Sequence, residues 1–144
     1  MHPSIFVVVH PTCPWDASNF IPDPQLCASF QSRCASALRR ALRAATRDSD
    51  QMVVVVSPGD EQVLPANLRP VLAALRARAN FTIENEEAES ARSAAAAIRR
   101  AVPAFGDATI AGFWRARCCR DMAESLGLLP YAVVNPVMSV KRLS

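Results

Sequence analysis

The sequence predicts one α/β domain spanning residues 1–144, in which a mainly parallel β-sheet is covered on both faces by helices. Three observations predict it. Apolar runs such as Ile5-Phe6-Val7-Val8-Val9 and Met52 to Val56 are continuously hydrophobic rather than alternating, the pattern of strands buried on both faces. Segments with helical spacing of apolar residues separate these runs, giving the order βαβαβαβαβ of a three-layer α/β/α sandwich with a five-stranded sheet. Finally, 144 residues, of which 51% are hydrophobic and 20% charged, can bury a core without covalent or metal staples.

Each element follows in turn. The first strand, residues 5 to 9, is stopped by His10-Pro11 and followed by a loop containing Pro11, Pro14, Pro22 and Pro24. Leu26, Phe30, Cys34, Leu38 and Leu42 then recur every four residues toward Arg47. With Ala37, Ala41 and Ala45 they form the apolar stripe of a long helix, while Arg33, Arg40, Arg43 and Arg47 fall largely on its other side. Asp48-Ser49-Asp50 ends that helix. The second strand, Met52 to Val56, is cut off by Ser57-Pro58-Gly59-Asp60. Leu64, Leu68, Val71, Leu72 and Leu75 mark a second helix whose start is left open by Pro65 and Pro70.

Phe81-Thr82-Ile83 is a short third strand, and Asn85 is placed to cap the next helix. The first turn of that helix carries Glu86, Glu87 and Glu89 and its last turn Arg99 and Arg100, charges that complement the helix dipole. Asp107 to Gly112 reads as the fourth strand, Arg115 to Leu126 as a fourth helix stopped at Gly127, and Tyr131 to Val134 as a fifth strand before Asn135-Pro136. The strand order most common for this pattern is the Rossmann-like 3-2-1-4-5.

Charge and composition narrow the function classes. The formal net charge of +3 comes almost wholly from arginine, Lys141 being the single lysine. An Arg- and Ala-rich, Lys-poor composition is what a GC-rich coding sequence produces, so the charge does not by itself call for nucleic acid. The apolar runs are too short for a membrane span, and the N-terminus lacks the basic-then-apolar order of a signal peptide. The reading is a cytoplasmic protein with no membrane or nucleic-acid partner, self-association as a homo-oligomer being left open. Cys13, Cys27, Cys34, Cys118 and Cys119 show no CxxC spacing, which removes zinc-ribbon and thioredoxin readings. No glycine-rich phosphate loop and no GxSxG elbow occur, so no nucleotide or other cofactor is expected. The acidic cluster 84 to 89 is accounted for by helix capping rather than by a metal.

In open parallel sheets ligands bind beyond the carboxyl ends of the strands, where strand order reverses. In the order 3-2-1-4-5 the loops after strands one and four meet there. The first brings His10, Thr12, Cys13, Trp15 and Asp16; the second brings Gly112, Phe113, Trp114, Arg115, Arg117 and Cys118. Cys118 falls in the first turn of the expected fourth helix, where unsatisfied amides and two arginines favour the thiolate and so a nucleophile. Cys119 beside it reads as a core residue. His10 is either a structural imidazole or a general base, and Asp16 either orients it, acts as the base or merely ends a turn. Cys13, between two prolines, is either an exposed redox-sensitive thiol or a packing residue. Trp15, Phe113 and Trp114 would wall an apolar pocket or pack the two loops together.

The segment Ala-Thr-Ile-Ala-Gly-Phe-Trp-Arg-Ala-Arg-Cys-Cys, residues 108 to 119, resembles the isochorismatase-like cysteine hydrolases. In that family a buried strand ends in glycine and the nucleophilic cysteine follows six residues later, the interval kept by Gly112 and Cys118. Residues 131 to 139 look like the family's last strand and its following turn. The resemblance implies a hydrolase with Cys118 as nucleophile. It also implies an aspartate at the end of strand one, where this chain has His10 and later Asp16, and a lysine after strand three, where this chain has none. Two functions therefore stand side by side. One is a divergent hydrolase that attacks a small-molecule substrate with Cys118, uses His10 or Asp16 as proton acceptor and contacts substrate through Cys13, Trp15, Trp114, Arg115 and Arg117. The other is a non-catalytic binding protein, an immunity or regulatory partner of another protein, on the same fold.

Overall fold

A computed structural model of the chain describes residues 2–15, 22–57, 61–85, 91–113, 119–127, 131–135 and 139–142. Four parallel strands form the body of the sheet: β1 (Ile5–Val9), β2 (Met52–Ser57), β3 (Phe81–Glu84) and β4 (Ala108–Ala111). β1 is flanked by β2 and β4, and β3 lies at the edge beyond β2. All five residues of β1 are buried, as are the four valines of β2, because these central strands have protein on both faces. The edge strand β3 alternates half-buried and exposed residues instead.

Side-chain alternation divides the core. Ile5, Val7 and Val9 of β1 join Val54, Val56 and Ile110 under Ala94, Ala95 and Ile98 of α3 (Ala91–Ala101) and Met122 and Ala123 of α4 (Arg120–Ser125). On the opposite face Phe6 and Val8 join Val53 and Val55 under Cys34, Ala37, Leu38, Ala41 and Ala45 of α1 (Pro24–Arg47) and Leu75 of α2 (Arg69–Arg78). The division follows from the right-handed parallel crossover. The chain steps from β1 to β2 to β3 in one direction and then back past β1 to β4, which puts α1 and α2 on one face and α3 on the other. Full burial of one Val or Ile side chain is worth about 1.5–3 kcal/mol, so the β1–β2 pair anchors both halves of the core.

Two features of α1 depart from the sequence reading. Its start is fixed by Asp23, whose Oδ1 accepts from the amides of Gln25 and Leu26 at 2.9 and 3.0 Å, with Pro24 in the first turn. Leu26 is 64% exposed and so is not part of the buried stripe. A step of four residues overshoots a full turn by about 40°, so Leu26 and Leu42, four such steps apart, lie on nearly opposite sides of the helix. The buried line runs instead through residues 34, 37, 38, 41 and 45. Along α2, Pro70 sits in the first turn and a 3-10 turn at Glu61–Val63 precedes the helix, yet Leu64, Leu68 and Leu72 still pack as one cluster. The start that Pro65 and Pro70 left open falls at Arg69, and the helix runs Arg69–Arg78.

The five-stranded sheet of order 3-2-1-4-5 is corrected, among the described residues, to six strands in the order β3-β2-β1-β4-β6-β5, with β5 (Tyr131–Asn135) and β6 (Ser139–Arg142). β6 is antiparallel to β4 and to β5, occupying the place expected of the fifth strand. Val140 is the one hydrophobic residue of Ser-Val-Lys-Arg, so that segment carries no strand signal of its own. Lys141, paired in register with Thr109 and Ala132, is a strand residue. No helix among the described residues is long and apolar enough to cross a membrane.

Candidate functional site

The carboxyl ends of β1, β2 and β3 carry a row of buried polar residues. His10 follows β1, Ser57 ends β2 and Asn85 follows β3, and their relative exposures are 1%, 3% and 2%. The parallel ladder extends one step through them: the His10 amide donates to the Val56 carbonyl at 2.7 Å, and the Asn85 amide to the Ser57 carbonyl at 3.1 Å. Pro11 disfavours the right-handed helical region for the residue before it, and His10 turns out of the strand with a φ of +49°. A non-glycine residue in such a region costs about 1–3 kcal/mol, which the surrounding structure must offset.

From this position the imidazole bridges the width of β2. Adjacent strands are about 4.8 Å apart, and His10 Nε2 meets Asn85 Oδ1 beyond β3 at 2.8 Å. The Asn85 side-chain amide in turn donates to Ser93 Oγ, in the first turn of α3, at 3.1 Å. Asn85 therefore stands in a side-chain network, and the helix it was expected to cap is described only from Ala91. His10 Nδ1 is buried and has no hydrogen-bond partner. A buried polar atom left in that state costs about 1–3 kcal/mol, so an unpaired ring nitrogen here needs an explanation in function or in a ligand.

The ends of β1 and β4 interlock. Trp15 and Phe113 meet edge to face, with ring centroids 6.1 Å apart and planes at 90°. Gly112 leaves no room for a side chain: a Cβ there would lie 2.5 Å from Cys119 Sγ and 3.2 Å from the Val9 carbonyl. Cys119 itself is fully buried among Val9, Met122 and Ala123. Register places Ser139, the first residue of β6, opposite Ala111 and pairs it on its other side with Asn135, the last residue of β5.

Among the residues singled out in the sequence, His10, Cys13 and Trp15 are described, and Asp16, Trp114, Arg115, Arg117 and Cys118 lie outside the described residues. Cys13 is buried with Phe6, Val8 and Phe113, the packing alternative of its two readings. Cys34 is fully buried, and burial pushes its thiol from 9.0 up to about 12 against the opposing pull of Arg33, so it is an inert core thiol. Among the described residues no group of three or more His, Cys, Asp or Glu side chains could hold a metal ion.

Sequence reasoning did not find Asn85 and Ser93 as partners of His10, because nothing in local spacing links positions 10, 85 and 93. It also missed a shallow polar groove of about 160 Å³ lined by Ser57, Arg76, Thr82, Ile83 and Glu84. There Arg76 donates to Ser57 Oγ at 2.9 Å and pairs with Glu61. The chain matches no family model, no curated protein and no solved structure.

Proposed function

We propose that the chain is a small thiol hydrolase in which Cys118 is the nucleophile and His10 the general base. One observation carries the reading: a buried histidine at the carboxyl end of the central strand, in a strained backbone conformation, with Nε2 held and Nδ1 unpartnered. Strain and an unsatisfied nitrogen at one residue, at the sheet edge where α/β proteins bind ligands, are features that stability alone does not select. The interlock of Gly112, Cys119 and Val9 supports the pairing, because it ties the residue next to Cys118 to the residue next to His10.

In this reading the Cys118 thiol gives its proton to His10 Nδ1 as sulfur bonds to an acyl or related carbon of a small substrate. The leaving group departs with that proton, and water, deprotonated by the same nitrogen, cleaves the thioester. Amides of residues 117 to 119 stabilise the oxyanion. Trp15 and Trp114 are assigned to an apolar substrate wall, with Cys13 packed in the cluster that includes Trp15, Arg115 and Arg117 to anionic substituents, and Asp16 is an alternative proton acceptor.

A second reading, a docking protein without chemistry, is favoured by one surface feature. The helix α1 exposes Arg33, Arg40, Arg43 and Arg47 and contains no acidic residue. The two readings separate on the pH dependence of iodoacetamide labelling of each cysteine in the folded protein, read by peptide mass spectrometry with Cys118→Ala as control. The hydrolase reading expects Cys118 to label rapidly well below the ~8.5 of an ordinary thiol, and His10→Asn to slow it. Labelling of Cys118 only on unfolding would refute it.

A further inference from the structure

We propose that Asn85, held by Ser93, is a positioning residue that fixes the tautomer of His10 and makes Nδ1 the proton-accepting atom. The argument is one of donors and acceptors. The Asn85 side-chain NH2 donates to Ser93 Oγ at 3.1 Å, and its carbonyl oxygen Oδ1 faces His10. That oxygen has no proton to give, so the ring nitrogen 2.8 Å away must donate to it: His10 carries its hydrogen on Nε2. A neutral imidazole with hydrogen on Nε2 keeps its lone pair on Nδ1, and Nδ1 is the buried, unpartnered atom.

The arrangement is the histidine–asparagine half of a Cys-His-Asn constellation, a set recognised by geometry and roles rather than by fold. The Asn85 carbonyl oxygen fixes the ring as a carboxylate would and adds no negative charge. The backbone contributes as well: the φ of +49° at His10 directs the side chain out of the strand and across β2 toward Asn85. This inference rests on the hydrolase reading only for its catalytic consequence; the tautomer is a property of the free protein.

The test is the ring-nitrogen spectrum. With the full chain labelled with 15N, long-range proton–nitrogen correlation separates a protonated from an unprotonated ring nitrogen, and His2→Gln assigns the signals, since His2 and His10 are the two histidines. Above the ordinary imidazole range, His10 should show Nε2 protonated and Nδ1 bare. Ser93→Ala, which removes the acceptor of the Asn85 NH2, should move the tautomer ratio toward Nδ1–H by about fivefold, the factor one ordinary hydrogen bond is worth. Asn85→Leu should move it at least as far. A wild-type spectrum with Nδ1 protonated overturns the proposal even if neither variant folds, and so does an unchanged ratio in both folded variants. Cys118 labelling keeps the two proposals apart. A bare Nδ1 with an unreactive Cys118 removes the hydrolase and leaves the tautomer lock; a reactive Cys118 with Nδ1 protonated removes the lock and leaves a cysteine nucleophile whose proton acceptor is Asp16 rather than His10.

Discussion

Replacing Gly112 with alanine tests the interlock on which the candidate site is built. The new Cβ would stand 2.5 Å from Cys119 Sγ and 3.2 Å from the Val9 carbonyl, against an ordinary carbon contact of about 3.5–4.0 Å. Neither neighbour yields readily, since Cys119 is fully buried and Val9 is fixed by its ladder to β2. Overpacking of this kind costs about 1–3 kcal/mol, and the steric conflict with sulfur puts Gly112→Ala near the upper end, about 2–3 kcal/mol. At about 2–4 °C per kcal/mol for a chain of this size, the midpoint should fall by about 5–10 °C. Cys119→Ala alone removes one buried atom and should cost about 1 kcal/mol. The double variant, in which the sulfur is gone, should be more stable than the sum of the two by about 1–2 kcal/mol. Urea unfolding of the four proteins, with thermal melts alongside, gives the cycle. Gly112→Ala within about 0.5 kcal/mol of wild type, or an additive double variant, would refute the packing of β4 against β1 described here.

Two other outcomes follow from single residues. Cys34, with its thiol raised to about 12, stays protonated in the fold while the unfolded chain ionises near 9.0; its contribution to stability should therefore be constant below about pH 9 and fall as pH rises from there toward 12, and in Cys34→Ala that part of the alkaline loss should disappear from the urea midpoint. Asp23→Ala removes the acceptor of two α1 amides and should cost about 1 kcal/mol in urea unfolding without changing Cys118 labelling, because the cap lies at the exposed start of α1.

The parts of the fold that could be read in the sequence are those whose signal is local. Continuous valine and isoleucine runs located β1 and β2, and helical spacing located α1. The existence of α2 was legible through Leu64, Leu68 and Leu72, although Pro70 set its start. β6 was not legible, since one valine among polar residues becomes a strand only because β4 and β5 leave a slot between them. Leu26 was misplaced by a pattern of fours that outruns the helical period. At the site, His10 stood out as the histidine ending a buried strand, but its partners did not. Asn85 carries a strong capping signal in sequence, and what occupies its side-chain amide is decided by strands that are distant along the chain and adjacent in the sheet.

The positive φ at His10 also governs which replacements position 10 can accept. Substitution there passes two filters in series, backbone first and chemistry second. Asparagine, aspartate and glycine tolerate the left-handed region; valine, isoleucine and threonine do not, whatever their polarity. A saturation library at this position should thus divide by conformational tolerance when scored for folding and by proton-accepting capacity when scored for reactivity. Asparagine, rather than alanine, is the replacement that isolates the imidazole's contribution from that of the turn it occupies.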